Sequence, residues 1–128
     1  MKNPVMLLLT NDSGLEDSVA KVLLELGGVS HLTCDPGEAL ETVCCVHDLD
    51  VAIIDFEHGP HGMTLLRAIN SLREDLPVIV IARDDQKHVE ALAYVNGATA
   101  CFAKPLLATR LRSTIRELEH PKPKPASA

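Results

Sequence analysis

Five short blocks rich in Val, Ile and Leu punctuate the chain, at Val5–Thr10, Val29–Cys34, Val51–Asp55, Val78–Ala82 and Thr99–Phe102. Apolar runs of this length, bounded by turn residues, predict strands. The stretches between them carry a helical period instead. Leu15, Val19, Val22, Leu23 and Leu26 fall at i, i+4, i+7, i+8 and i+11, one face of a helix. Ser13-Gly14-Leu15-Glu16 reads as a capping box at its start, and Gly27 suits the left-handed position that closes it. Asp35-Pro36 puts a cap residue before a proline at the first position of a second helix. A third helix is expected over Met63–Leu72, ending before Pro77. A fourth is expected over Gln86–Val95, opened by Asp84 and Asp85 and stopped by Asn96-Gly97. A fifth follows Pro105, with Leu107, Leu111, Ile115 and Leu118 on its inner face.

The order is strand then helix, five times over, and strand starts recur every 21 to 27 residues. That is the spacing of right-handed crossover units. The third and fourth blocks are continuous apolar runs, as strands covered on both faces of a parallel sheet must be. The expected class is α/β, a doubly wound five-stranded parallel sheet. Residues 1–120 are expected to form the domain. Pro121-Lys122-Pro123-Lys124-Pro125 cannot form a helix, so 121–128 read as a tail or linker stub.

Composition narrows the function. The formal net charge is -6, which argues against a general nucleic-acid surface. No apolar run is long enough to span a bilayer and no signal-peptide pattern opens the chain, so a cytoplasmic protein with no membrane partner is expected. None of Cys34, Cys44, Cys45 and Cys101 forms a C-x-x-C pair. Vicinal Cys44 and Cys45 are a conceivable redox element, but the bland reading prevails: small apolar residues on a half-buried helix. His58 and His61, with Asp55 and Glu57, offer ligands to a transition metal. Histidines on a surface loop are more often solvated.

In a doubly wound sheet, function gathers at the carboxyl ends of the strands. The first block ends in Thr10-Asn11-Asp12, the third in Asp55, the fourth in Ala82-Arg83 and the fifth in Ala103-Lys104-Pro105. With the first and third strands adjacent, Asp12 and Asp55 approach each other, and Lys104 arrives from the far side. This arrangement, with Leu24–Gly27, Leu76–Ile79 and Asn96–Ala98 at the matching helix ends and strand entry, resembles the receiver domain of bacterial two-component response regulators. The resemblance covers about Val5 to Glu119. It implies a flavodoxin-like (βα)5 fold with strand order 2-1-3-4-5. It also implies a cytoplasmic signalling module that is not an enzyme. Asp55 would be the phosphoacceptor and Lys104 the residue that contacts the phosphoryl group. The partner would be a sensor histidine kinase or another signalling protein. A homodimer through the fourth helix, fifth strand and fifth helix is a further expectation.

The departures from that family are specific. Its first strand usually ends in two adjacent acids that help to hold Mg²⁺. Thr10 and Asn11 stand there, with Asp12 one place late. An amide ligates Mg²⁺ through oxygen but brings no charge. A weak Mg²⁺ site is therefore expected, drawn from Asn11, Asp12, Asp55 and Glu57. The family's switch hydroxyl at the end of the fourth strand is Ala82, and its aromatic on the fifth is Cys101. Arg83 follows the missing hydroxyl and could reach Asp55, although a solvated arginine is the plainer reading. These losses keep an alternative open, a pseudo-receiver that binds partners without phosphorylation. A flavin or nucleotide protein of similar topology would need a phosphate-cradling loop after the first strand. Thr10-Asn11-Asp12-Ser13-Gly14 carries an acid and a single glycine.

Overall fold

Alternate residues of a strand point to opposite faces, so a strand apolar at every position must be covered twice. The computed structural model, which describes residues 3–56, 61–83 and 87–119, meets that requirement. Strands β1 (Val5–Leu9), β2 (Val29–Thr33), β3 (Val51–Asp55), β4 (Val78–Ala82) and β5 (Ala100–Ala103) form one sheet in the order β2-β1-β3-β4-β5. All its pairings are parallel. Every residue of β3 and β4 is buried. Helices α1 (Ser13–Leu26) and α5 (Ala108–Glu119) cover one face; α2 (Pro36–Cys45), α3 (His61–Leu72) and α4 (Lys87–Val95) cover the other. Val51 and Ile53 pack under α1 and α5, while Ala52 and Ile54 pack under α2 and α3. The expected fold class and strand order are the observed ones.

Local chemistry explains the boundaries. Asp35 is extended and accepts a hydrogen bond from Gly37 N at 3.2 Å, with Pro36 as the first residue of α2. Gly27 closes α1 with φ 74°, a left-handed conformation in which glycine has no Cβ penalty. The capping box is displaced by one residue. Asp12, not Ser13, is the N-cap of α1. Its backbone is extended, which sets its carboxylate over the first-turn amides. Asp12 Oδ1 accepts from Gly14 N at 2.8 Å and Leu15 N at 3.4 Å. Ser13 is already the first residue of the helix.

Two further expectations are corrected. Leu107 is 63% exposed, because α5 begins only at Ala108; Leu106 enters the core in its place, with Leu111 and Ile115. Cys44 and Cys45 are exposed rather than half-buried, and Cys34, ahead of α2, is exposed as well. The core face of α2 is made by Ala39 and Val43, and the adjacent cysteines fall outside that stripe. Asp84, Asp85 and the tail lie outside the described residues.

Candidate functional site at the carboxyl edge

Asp55 is the last residue of β3, in the middle of the sheet, and only 2% exposed. A carboxylate so buried needs donors, because burying unpaired charge is costly. Two strand ends supply them. Thr10, directly after β1 and itself 2% exposed, donates its hydroxyl to Asp55 Oδ2 at 2.6 Å. Lys104, directly after β5, donates from Nζ to the same oxygen at 2.8 Å. Lys104 must cross the end of β4 to do so, and its backbone N–H donates to Ala82 O at 2.8 Å. Ala82 is buried there. The Lys104–Pro105 peptide is cis. After Asp55, Phe56 is buried, and a Cβ on Gly62 would come within 2.9 Å of its ring. Glycine at the start of α3 thus lets the chain pack tightly behind Asp55.

Asp12 joins the cluster from the other side. Its Oδ2 accepts from Lys104 Nζ at 2.9 Å, while Oδ1 caps α1. Its two oxygens thus serve two uses, helix cap and site acid. The Lys104 hydrogen bond holds the Asp12 carboxyl below its ordinary value of 3.8, with the Gly14 amide adding to the effect and partial burial opposing it. The Asp12 backbone N–H donates to Thr10 Oγ1 at 2.9 Å. That fixes the hydroxyl: Oγ1 accepts from Asp12 and gives its single proton to Asp55.

The expected members separate accordingly. Asp12, Asp55 and Lys104 come together. Asn11 is exposed, and Glu57 and His58 lie outside the described residues, as does the side chain of His61. Among the described residues, no three His, Cys, Asp or Glu side chains converge to hold a metal. The described side chains around Asp55 do not suit a resident dication as they stand. Thr10 faces Asp55 as a donor, and Lys104 already sets a positive charge between the two carboxylates. Two residues escaped the sequence reading. Thr10 looked like a missing acid and is a hydrogen-bond donor. Tyr94 of α4, the single tyrosine, accepts the Cys101 backbone N–H at 3.2 Å. An aromatic hydroxyl thus reaches β5 from the neighbouring helix where the strand itself carries Cys101. A lone tyrosine late in the fourth helix was the available signal. The half-buried Cys101 thiol is pushed up by burial, with the charge of Glu90 adding to it.

Comparison with known proteins agrees with this geometry. The sequence matches the response regulator receiver domain over residues 7–116. It is 30% identical over 112 residues to the C4-dicarboxylate transport transcriptional regulatory protein DctD of Pseudomonas aeruginosa, a match that covers 87% of this chain and 24% of that protein. It is 26% identical over 117 residues to the sensory/regulatory protein RpfC of Xanthomonas campestris, covering 88% of this chain and 16% of that protein. The chain therefore spans a quarter or less of the length of these relatives. A response regulator from Thermotoga maritima superposes with a TM-score of 0.82 at 18% identity, over 93% of this chain and 99% of the other, a likeness of fold. With most of its length inside the family match, the chain belongs to the response regulator receiver domains of two-component signalling.

Proposed function

We propose that this domain is a phosphorelay receiver in which Asp55 accepts a phosphoryl group from a sensor histidine kinase. The observation that carries this reading is the 2.8 Å contact from Lys104 Nζ to Asp55 Oδ2 at the carboxyl edge. An Asp55 oxygen attacks phosphorus, the N–P bond of the phosphohistidine breaks, and the imidazole leaves. Lys104 is the nearby cation suited to the oxygens of the acyl phosphate, since positioned charge stabilises the group in transfer. The domain has no enzymatic reaction of its own to run. Its metal site is weak, with Asn11, Asp12, Asp55 and Glu57 the residues left to supply oxygen to Mg²⁺. Ala82 and Cys101 make the switch weak as well.

The wider reading follows from this one. Residues 1–120 act as the signalling unit and 121–128 as a tail. The partner surface includes α4, β5 and α5, through which a homodimer could also form. The net charge of -6 disfavours nucleic acid. No helix among the described residues is long and apolar enough to cross a membrane, and we place the protein in the cytoplasm.

A second reading, the phosphorylation-independent pseudo-receiver, is favoured by the Thr10 hydrogen bond, which engages Asp55 before any phosphoryl group arrives. Incubation with acetyl phosphate, with and without Mg²⁺, followed by mass spectrometry separates the two. The phosphorelay reading expects one added phosphoryl group, absent from Asp55→Asn. No labelling under any condition, with partner capture unchanged in Asp55→Asn, establishes the pseudo-receiver instead.

A further inference from the structure

The hydroxyl of Thr10 is buried, has a single proton, and has that proton committed. Oγ1 accepts from Asp12 N at 2.9 Å and donates to Asp55 Oδ2 at 2.6 Å, across 45 residues of sequence. Lys104 Nζ lies 2.8 Å from the same oxygen and 2.9 Å from Asp12 Oδ2. Asp55 is thus oriented by two donors of the protein's own, one neutral and one cationic. A divalent cation in this crevice would compete with both. To take Oδ2 as a ligand it must displace the Thr10 proton, which is donated to that oxygen at 2.6 Å. It must also approach an ammonium that already bridges the two acids.

We propose that Thr10 is a positioning residue that lowers the need of the Asp55 site for a divalent cation, by orienting the carboxylate and occupying the oxygen, Oδ2, that also meets Lys104. The inference rests on Asp55 being the functional carboxylate of the domain, and it adds the residue that sets the site's cation requirement. Thr10 and Lys104 hold the carboxylate in one orientation without metal. The same contacts weaken the hold on Mg²⁺. The effect of Thr10 lies in its hydroxyl proton rather than in its bulk, so the isosteric Val, which keeps the shape and lacks the proton, is the informative substitution.

The experiment follows the Asp55 side-chain carboxylate by carbon NMR in the full chain, titrated with Mg²⁺ alone. In the wild type, the signal is expected to be the same in chelator and in low-millimolar Mg²⁺. Thr10→Val is expected to shift the metal-free signal and to bind Mg²⁺ about tenfold more tightly, the lower end of what a hydrogen bond to a charged group is worth. Thr10→Ser restores the donor and is expected to return both properties to wild type, which a purely structural role would not require. Thr10→Asp serves as the reference for a metal-binding site and covers the case in which Thr10→Val does not fold. It is expected to bind Mg²⁺ more tightly than any other variant. Saturation of the wild type at sub-millimolar Mg²⁺ overturns the proposal. So does a Thr10→Ser protein that binds Mg²⁺ as Thr10→Val does, or a Thr10→Asp protein that binds it no better than the wild type. None of these outcomes depends on phosphorylation. A wild type that acetyl phosphate never labels, but whose carboxylate responds to Mg²⁺ only when Thr10 is changed, sinks the phosphorelay reading and leaves this one standing.

Discussion

Around Asp55, side chains from the ends of β1, β3 and β5 are joined by contacts of 2.6 to 2.9 Å, all converging on one crevice. Between α4 and the elements beside it, the described side-chain links are longer. Tyr94 Oη accepts from Cys101 N at 3.2 Å, and Asn96 Nδ2 meets Met63 Sδ at 3.6 Å. The residues at the two switch positions, Ala82 and Cys101, are small. One region is charged and densely bonded; the other is apolar and lightly fastened. Charge recognition and the transmission of a signal are separate properties of the fold, and substitution can thin one while the other persists.

The largest effect expected from breaking the crevice comes from Lys104→Met. The side chain of Asp55 is 1% exposed, and that of Lys104 14%. Removing the cation leaves a buried carboxylate beside a second acid, the case in which an ion pair lost from one side costs about 3–5 kcal/mol. Chemical unfolding is the measurement, and a loss below about 1 kcal/mol would mean that Asp55 is satisfied without the Lys104 cation. Asp55→Asn removes one of the two competing acids and should cost much less.

A smaller effect is expected at acid pH. Lys104 and the first-turn amides hold the folded Asp12 carboxyl below 3.8. A depressed folded value stabilises the native state above the unfolded value, and that contribution disappears as the pH falls through the folded one. Stability should therefore decline below about pH 4 partly through Asp12. The Asp12→Asn protein should show a shallower decline in the same window. Asp12 is partly exposed, so the difference should shrink in high salt. Identical acid profiles for the two proteins would falsify the assignment.

The parts legible in the sequence were those with a local or periodic cause. The apolar runs of β3 and β4 gave burial on both faces, and Gly27 and Asp35-Pro36 marked helix ends by their own backbone chemistry. Asp12 and Ser13 are both good cap residues, and a local pattern does not show that Lys104, 92 residues away, also draws on Asp12. The Thr10 bond to Asp55 has the same character. A threonine after an apolar strand looks like a neutral replacement until the adjacent strand brings a carboxylate to its hydroxyl. The outward face of α2 was misread because cysteine is usually buried, whereas here Ala39 and Val43 fill the groove without it.

The smallest change is expected where an ordinary receiver would show its largest, on the α4, β5 and α5 surface when a phosphoryl mimic binds. A ligand shifts a conformational equilibrium only through contacts that differ between the two states. The usual contact is a hydroxyl at the end of β4, and Ala82 has no proton to donate. A hydrogen bond to a charged group is worth about 1.5–3 kcal/mol, a roughly tenfold to hundredfold bias in the population ratio that is missing here. Cys101 leaves little side chain to follow an inward movement, and its backbone N–H is engaged by Tyr94. Beryllofluoride with Mg²⁺ is therefore expected to leave amide exchange across residues 87–119 close to its unliganded pattern, with binding itself followed by fluorine NMR. Broad, saturable protection over that face would show that another residue has taken over the coupling. Arg83 is the first to test, since it follows Ala82 directly and is exposed beside the crevice. If Arg83→Ala then abolished the protection while beryllofluoride still bound, the thinned switch would have been rebuilt on an arginine. If protection persisted, the coupling would run through the backbone link from Lys104 N to Ala82 O, which no side-chain substitution removes.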